Sequence, residues 1–124
     1  QPMYLVGAGH PHKDAAVRAI ESAATRRERL VTSAEVLQEI LHRYHAVRRP
    51  EQIQPCLRAL LGIVDEIFAI DQQDVLRARD ILLGGLGLSS RDALHVAVME
   101  RQGIKRVLSF DRGFDRVHTI ERIG

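Results

Sequence analysis

A chain of 124 residues, 45% apolar and 27% charged, is long enough for one domain with a single core and too apolar for a disordered or fibrous protein. The single cysteine, Cys56, excludes an internal disulfide framework and fits a reducing cytoplasm; no apolar run approaches a transmembrane length and no basic-then-apolar leader opens the sequence, so neither membrane nor secretion is expected. Net charge is only +2, yet the basic residues are nearly all arginine, the side chain suited to bidentate phosphate contact, which is compatible with nucleic acid without establishing it.

Gln1-Pro2 runs straight into the apolar MYLV, and Gly7-Ala8-Gly9 with Pro11 marks a loop. From residue 13 to about residue 29 the spacing of Ala16, Val17 and Ile20 predicts an amphipathic helix that ends in a solvated charge cluster, ATRRER. Thr32 with Glu35 three positions on predicts a capping box, followed by a second helix with the stripe Leu37, Ile40, Leu41 and Tyr44. Glu39 lies off that stripe on the side of Glu35, and periodicity alone gives both to solvent. After Arg48-Arg49-Pro50 a third helix is firm from Pro55, with Leu57, Leu60, Leu61 and Val64 on its apolar side. Residues 67–70 form a short strand candidate, and Asp71 reads as the N-cap of a helix carrying Val75, Leu76, Ala78 and Leu82. GGLG at residues 84–87 follows a helix, not a strand, and lacks the Walker lysine, so it reads as a helix stop and a connection.

The stretch SSRDALHVAVMERQGIKRVLSFD, residues 89–111, sets a carboxylate at each end of a helix-to-strand unit. Ser89 or Ser90 caps the helix, Gly103 stops it, and Asp92 falls in its first turn. Residues 104–109 read as a strand, so Asp111 lies just past a strand's carboxyl end, the edge where ligands gather in open α/β sheets. Helices alternating with short strands favour a parallel sheet with helices on both faces.

The remaining reactive side chains are less informative. His10 and His12 lie in a loop, and His42 and His45 are three apart on a helix, but no cysteine partner or HExxH motif supports zinc. His95 follows Asp92 by three; it reads as a partly buried histidine with a backbone partner, with a place in the same cleft as the alternative. Ser89, Ser90, Ser109 and Cys56 sit in no nucleophile elbow or triad motif.

Taken together, these segments resemble PIN domains, and among them the VapC-type ribonuclease toxins of bacterial toxin-antitoxin pairs. SSRDALHVAVME carries the Asp that opens a helix in that family, SFDRGFDRV resembles its Asp after a strand, and TSAEVLQEIL puts Glu39 at the place of the family's earlier Glu. The resemblance covers almost the whole chain. It implies a single domain over residues 1–124 with a three-layer α/β/α fold, a short parallel sheet flanked by helices, and a metal-dependent endoribonuclease that hydrolyses RNA phosphodiester bonds. It also implies a VapB-like antitoxin that blocks the site, and a toxin homodimer. Family members begin with a strand ending in Asp just upstream of a segment like MYLVG, so a first strand before Gln1 is expected; no such Asp is among these residues. That departure separates the nuclease reading from its alternative, an inactive PIN-like module that binds antitoxin or RNA without cleavage.

Hard ions such as Mg²⁺ or Mn²⁺ need few carboxylates when phosphate and water complete their shell. On the resemblance, Asp92 and Asp111 are the principal ligands and Glu39 a further ligand or orienting carboxylate. Asp115 follows Asp111 by four, so one helical turn would add it as a further ligand; a surface or capping role is the alternative. Arg91, Arg112 and Arg116 lie beside these acids and are expected to hold the RNA backbone, whereas Arg106 and Arg122 read as solvated. Phe114 reads as an anchor packed under the loop.

Overall fold

The computed structural model describes residues 2–7, 18, 20–22 and 24–124. Five short strands, β1 (Met3–Leu5), β2 (Leu30–Ser33), β3 (Glu66–Phe68), β4 (Arg106–Leu108) and β5 (Glu121–Ile123), form one sheet in the order β3-β2-β1-β4-β5, with every pairing parallel. The helices are α1 (Ala34–Ala46), α2 (Ile53–Ile63), α3 (Gln72–Leu83) and α4 (Ser90–Gln102), with 3-10 turns at Pro50–Gln52 and Arg112–Arg116. Of the helix expected from residue 13, the described residues 18, 20–22, 24 and 25 are helical; the earlier part, with the loop histidines His10 and His12, lies outside the described residues. No described helix is long and apolar enough to cross a membrane.

The pleat of each strand divides the core in two, because successive side chains point to opposite faces. Met3, Leu5, Leu30 and Leu108 pack with Val36 and Ile40 of α1 and Leu60 of α2 on one face. Tyr4, Val31 and Val107 pack with Ala78 and Ile81 of α3 and the buried stripe of α4 on the other. The result is the expected α/β/α layering.

Caps set the helices at the working edge. Ser89 Oγ accepts the backbone N–H of Asp92 at 3.1 Å, and Gly103 ends α4 with φ +69°, a left-handed conformation glycine adopts without strain. Asp71 caps α3, and Asp74 returns the bond to Asp71 N at 3.0 Å while also receiving Arg101 Nε at 2.7 Å, which ties α3 to α4.

Several expectations need correction. No capping box joins Thr32 and Glu35: Thr32 lies inside β2, its hydroxyl donating to the Leu5 carbonyl at 2.8 Å, and Ser33 is the residue before α1. A β-branched hydroxyl that reaches the neighbouring strand has no reason to cap. The third helix starts at Ile53, two residues before Pro55, because a 3-10 turn carries the chain into it. The strand expected at residues 67–70 runs Glu66–Phe68 instead. Arg106 and Arg122 are not merely solvated: Arg106 pairs with Glu28 at 3.1 Å, and Arg122 with Asp115 at 2.9 Å and the Ser109 carbonyl at 3.2 Å.

Candidate active site

From the central strand β1 the chain winds outward through β2 to β3 on one side, then crosses back to β4 and on to β5 on the other, so the strand order reverses beside β1. At such a reversal the loops leaving neighbouring strands diverge and open a crevice at their carboxyl ends. A cleft of about 510 Å³ lies there, with Val6 and Gly7 after β1, Ser109 to Asp111 after β4, Arg91 and Asp92 at the start of α4, and Glu39, His42 and Arg43 on α1.

Asp92 and Asp111, 19 positions apart in sequence, meet in this cleft closely enough to share a hydrogen bond. Burial, then the hydrogen bond and negative charge of Asp111, push the Asp92 carboxyl up to about 6. Asp111 is held below the usual carboxylate range, first by the Gly113 N–H that donates to its Oδ1 at 2.8 Å and then by its bond with Asp92. The pair thus retains a proton, chiefly on Asp92, at a pH where isolated aspartates are ionised. Gly113 keeps the turn close: a β-carbon there would stand 3.1 Å from Asp111 Oδ1 and 3.7 Å from Asp92 Oδ2.

Glu39 reaches the cleft from α1, and its Oε1 lies 2.9 Å from His95 Nε2. His95 has no exposed surface, and its other nitrogen meets the Tyr4 hydroxyl at 2.8 Å, so its partners are side chains and not the expected backbone group. Asp115 is not brought in: Arg112–Arg116 is a 3-10 turn, so an i,i+4 pair does not stack as on an α-helix, and Asp115 faces Arg122 instead. Of the three arginines expected at the RNA, Arg91 lines the cleft, Arg112 is exposed outside it, and Arg116 donates to the Gly87 carbonyl at 2.9 Å. Two cleft residues on α1, His42 and Arg43, were not expected there, although their spacing of three and four from Glu39 puts them on its side of the helix.

Among the described residues no three His, Cys, Asp or Glu side chains converge as a ready metal cage. The Asp92–Asp111 pair is a smaller set made only of oxygens, and a Mg²⁺-type ion needs no more when water and substrate phosphate complete its shell. Two carboxylates forced to share a proton would also be relieved by a cation between them, so the residues present fit such an ion.

Residues 3–119 match the PIN domain family. The chain is 58% identical over 122 residues to the VapC ribonuclease Mb1869c of Mycobacterium bovis and, with the same figures, to ribonuclease VapC13 of Mycobacterium tuberculosis, covering 98% of this chain and 93% of each relative. Ribonuclease VapC23 of Mycobacterium tuberculosis is 38% identical over 109 residues, 88% of this chain and 86% of its own. In solved structures the fold recurs in VapBC2 of Rickettsia felis bound to a DNA fragment from its promoter, with a TM-score of 0.74 at 17% identity over 98% of this chain and 97% of that one. It recurs also in Mycobacterium tuberculosis VapC20, a toxin that cleaves the sarcin-ricin loop, with a TM-score of 0.73 at 20% identity over 91% and 92% of the two chains.

Proposed function

The chain belongs to the PIN-domain family, and on that premise we propose that it is a metal-dependent endoribonuclease, the toxin of a toxin-antitoxin pair, cutting RNA at the Asp92–Asp111 cleft. The observation that carries this reading is the proton-sharing carboxylate pair at the carboxyl ends of the central strands, walled by the basic side chains of Arg43 and Arg91. A bound Mg²⁺ or Mn²⁺ would supply an activated water and offset charge on the leaving oxygen of the phosphodiester.

The chain's own residues do the rest. Asp92 and Asp111 would hold the ion: Asp111 is already favoured as the anion, and Asp92 would serve as a ligand once its retained proton is released. Arg91, beside Asp92 at the opening of α4, and Arg43 on α1 line the same cleft and would grip phosphates of the strand held there. Glu39 provides a third carboxylate at the cleft wall. The acid that the family resemblance expects upstream of Gln1 belongs to the same proposal as a further ligand. A VapB-like antitoxin completes the reading, supported by the fold shared with the VapBC complexes; a homodimer belongs to it on the family resemblance alone.

The test is cleavage of an end-labelled mixed RNA pool with Mg²⁺ or Mn²⁺, with EDTA, and with Asp92→Asn. Metal-dependent cutting that Asp92→Asn reduces at least about a hundredfold is expected for loss of a group that stabilises transition-state charge. Cutting that EDTA leaves intact, or that survives the substitution, would remove the pair from the reaction. RNA retention without any cutting would favour the binding module.

A further inference from the structure

One line of polar side chains runs through the core, and it ends at the cleft. Ser33, Tyr4 and His95 are each 0% exposed. The Tyr4 hydroxyl is hydrogen-bonded to Ser33 Oγ at 2.6 Å, His95 Nδ1 lies 2.8 Å from the same hydroxyl, and His95 Nε2 lies 2.9 Å from Glu39 Oε1. The Tyr4 and His95 rings also meet edge to face, with centroids 5.4 Å apart. The line therefore passes from the end of β2, across the central strand, to α4 and out to α1.

Packing alone does not ask for these residue types. Tyr4 lies in the same cluster as Val31, Val96 and Phe114, where an aliphatic or phenyl side chain would fill the space without polar atoms. Burying a hydroxyl and an imidazole costs free energy unless each finds a partner. Here every buried side-chain nitrogen and oxygen among the described residues has one. The imidazole is thus fixed on one side by Tyr4, and its other nitrogen is presented to Glu39.

Glu39 is the only member of the line that reaches the cleft. A glutamate on a helix surface has several rotatable bonds and scatters its carboxylate; one oxygen bonded to an immobile ring removes most of that freedom and leaves the second oxygen available. His95 also follows Asp92 by three on α4, so one helix carries a cleft carboxylate and, a turn later, the group that holds Glu39. We infer that His95, braced by Tyr4 and Ser33, is a positioning residue that orients Glu39 toward the divalent ion or its bound water. This inference rests on the metal-dependent nuclease reading.

The experiment measures Mn²⁺ binding to the whole chain without RNA, from the electron paramagnetic resonance signal of free Mn²⁺. His95→Leu keeps an apolar side chain in the site but offers Glu39 no donor, whereas His95→Gln restores an amide N–H near the place of Nε2. Leucine is expected to weaken Mn²⁺ binding by about tenfold or more, the usual cost of losing a partner that orients a ligand, with glutamine closer to the parent protein than to leucine. Combining His95→Leu with Glu39→Gln should bind no more weakly than Glu39→Gln alone, since the two act through one interaction. Parent-like binding by His95→Leu, or glutamine as poor as leucine, would overturn the inference and leave the nuclease reading standing. Absence of Mn²⁺ binding by the parent protein would overturn both. Should His95→Leu fail to fold, Tyr4→Phe, which keeps the ring and removes the hydroxyl, decides: a loss of Mn²⁺ affinity supports the brace, and unchanged affinity refutes it.

Discussion

At Asp92 burial and a second carboxylate oppose ionisation together, so stability at this site depends on pH in a definite direction. The folded value of about 6 lies above the ordinary 3.8, so the folded chain holds the proton more tightly than the unfolded one. The resulting stabilisation is complete below about pH 4 and is lost as pH rises through about 6. Asp111, held low, has the opposite sign: it stabilises above its ordinary value, and that contribution goes as pH falls through its depressed one. The Asp92 shift corresponds to a ceiling near ~3 kcal/mol, and solvent reaching the open cleft reduces it to on the order of 1 kcal/mol. Asp92→Asn removes the repulsion but can still donate a hydrogen bond to Asp111. Without metal, the variant should melt a few degrees above the parent at pH 7 and level with it near pH 4. Added Mg²⁺ or Mn²⁺ should raise the parent's Tm and leave the variant's unchanged. Calorimetric scans across that pH range check both, and a parent insensitive to metal would count against the pair as a binding site.

Elements differed in how plainly they could be read. The unit from Ser89 to Asp111 was legible because a good cap, a glycine stop and a helix of 13 residues each carry a local signal that agrees with the others. The strands were not: β1, β3, β4 and β5 have three residues each, too few to show alternation, and β2 was concealed because Thr32 and Glu35 imitate a cap. The line through Tyr4 and His95 joins positions 91 residues apart, and no window of sequence reports such a contact. Placing Met3–Leu5 at the centre of the sheet gives one consequence that sequence alone did not offer. Val6 follows β1 at the cleft wall, so Val6→Asp would put a further acid past a strand's carboxyl end in the same cleft as the carboxylate pair. A third carboxylate beside two that already share a proton should lower the metal-free Tm by one to several degrees and tighten Mn²⁺ binding. Titration calorimetry with Mn²⁺ beside a metal-free melt measures the two effects; a variant that loses stability and gains no affinity would show that this edge of β1 does not face the ion.

For the molecule as a whole, a net charge of +2 says little about RNA until the arginines are sorted by what neutralises them. Arg29, Arg77, Arg101, Arg106 and Arg122 are each spent on a carboxylate, whereas Arg43 and Arg91, which line the cleft, form no ion pair with a described residue. Arginines already paired displace few counterions when a polyanion arrives; unpaired ones each exchange a condensed cation for a phosphate. RNA affinity should therefore fall with salt in proportion to the unpaired set. Arg43→Ala and Arg91→Ala should each weaken binding of a single-stranded RNA and make the slope of log K against log salt shallower by about 0.7. Arg122→Ala, which frees Asp115 and unties the Ser109 carbonyl, should lower Tm while leaving that slope nearly unchanged. Filter binding with Asp92→Asn as the background keeps the RNA uncut during the titration. Equal slopes for all three substitutions would mean that the cleft walls do not grip the strand and that the basic residues act only through the overall field.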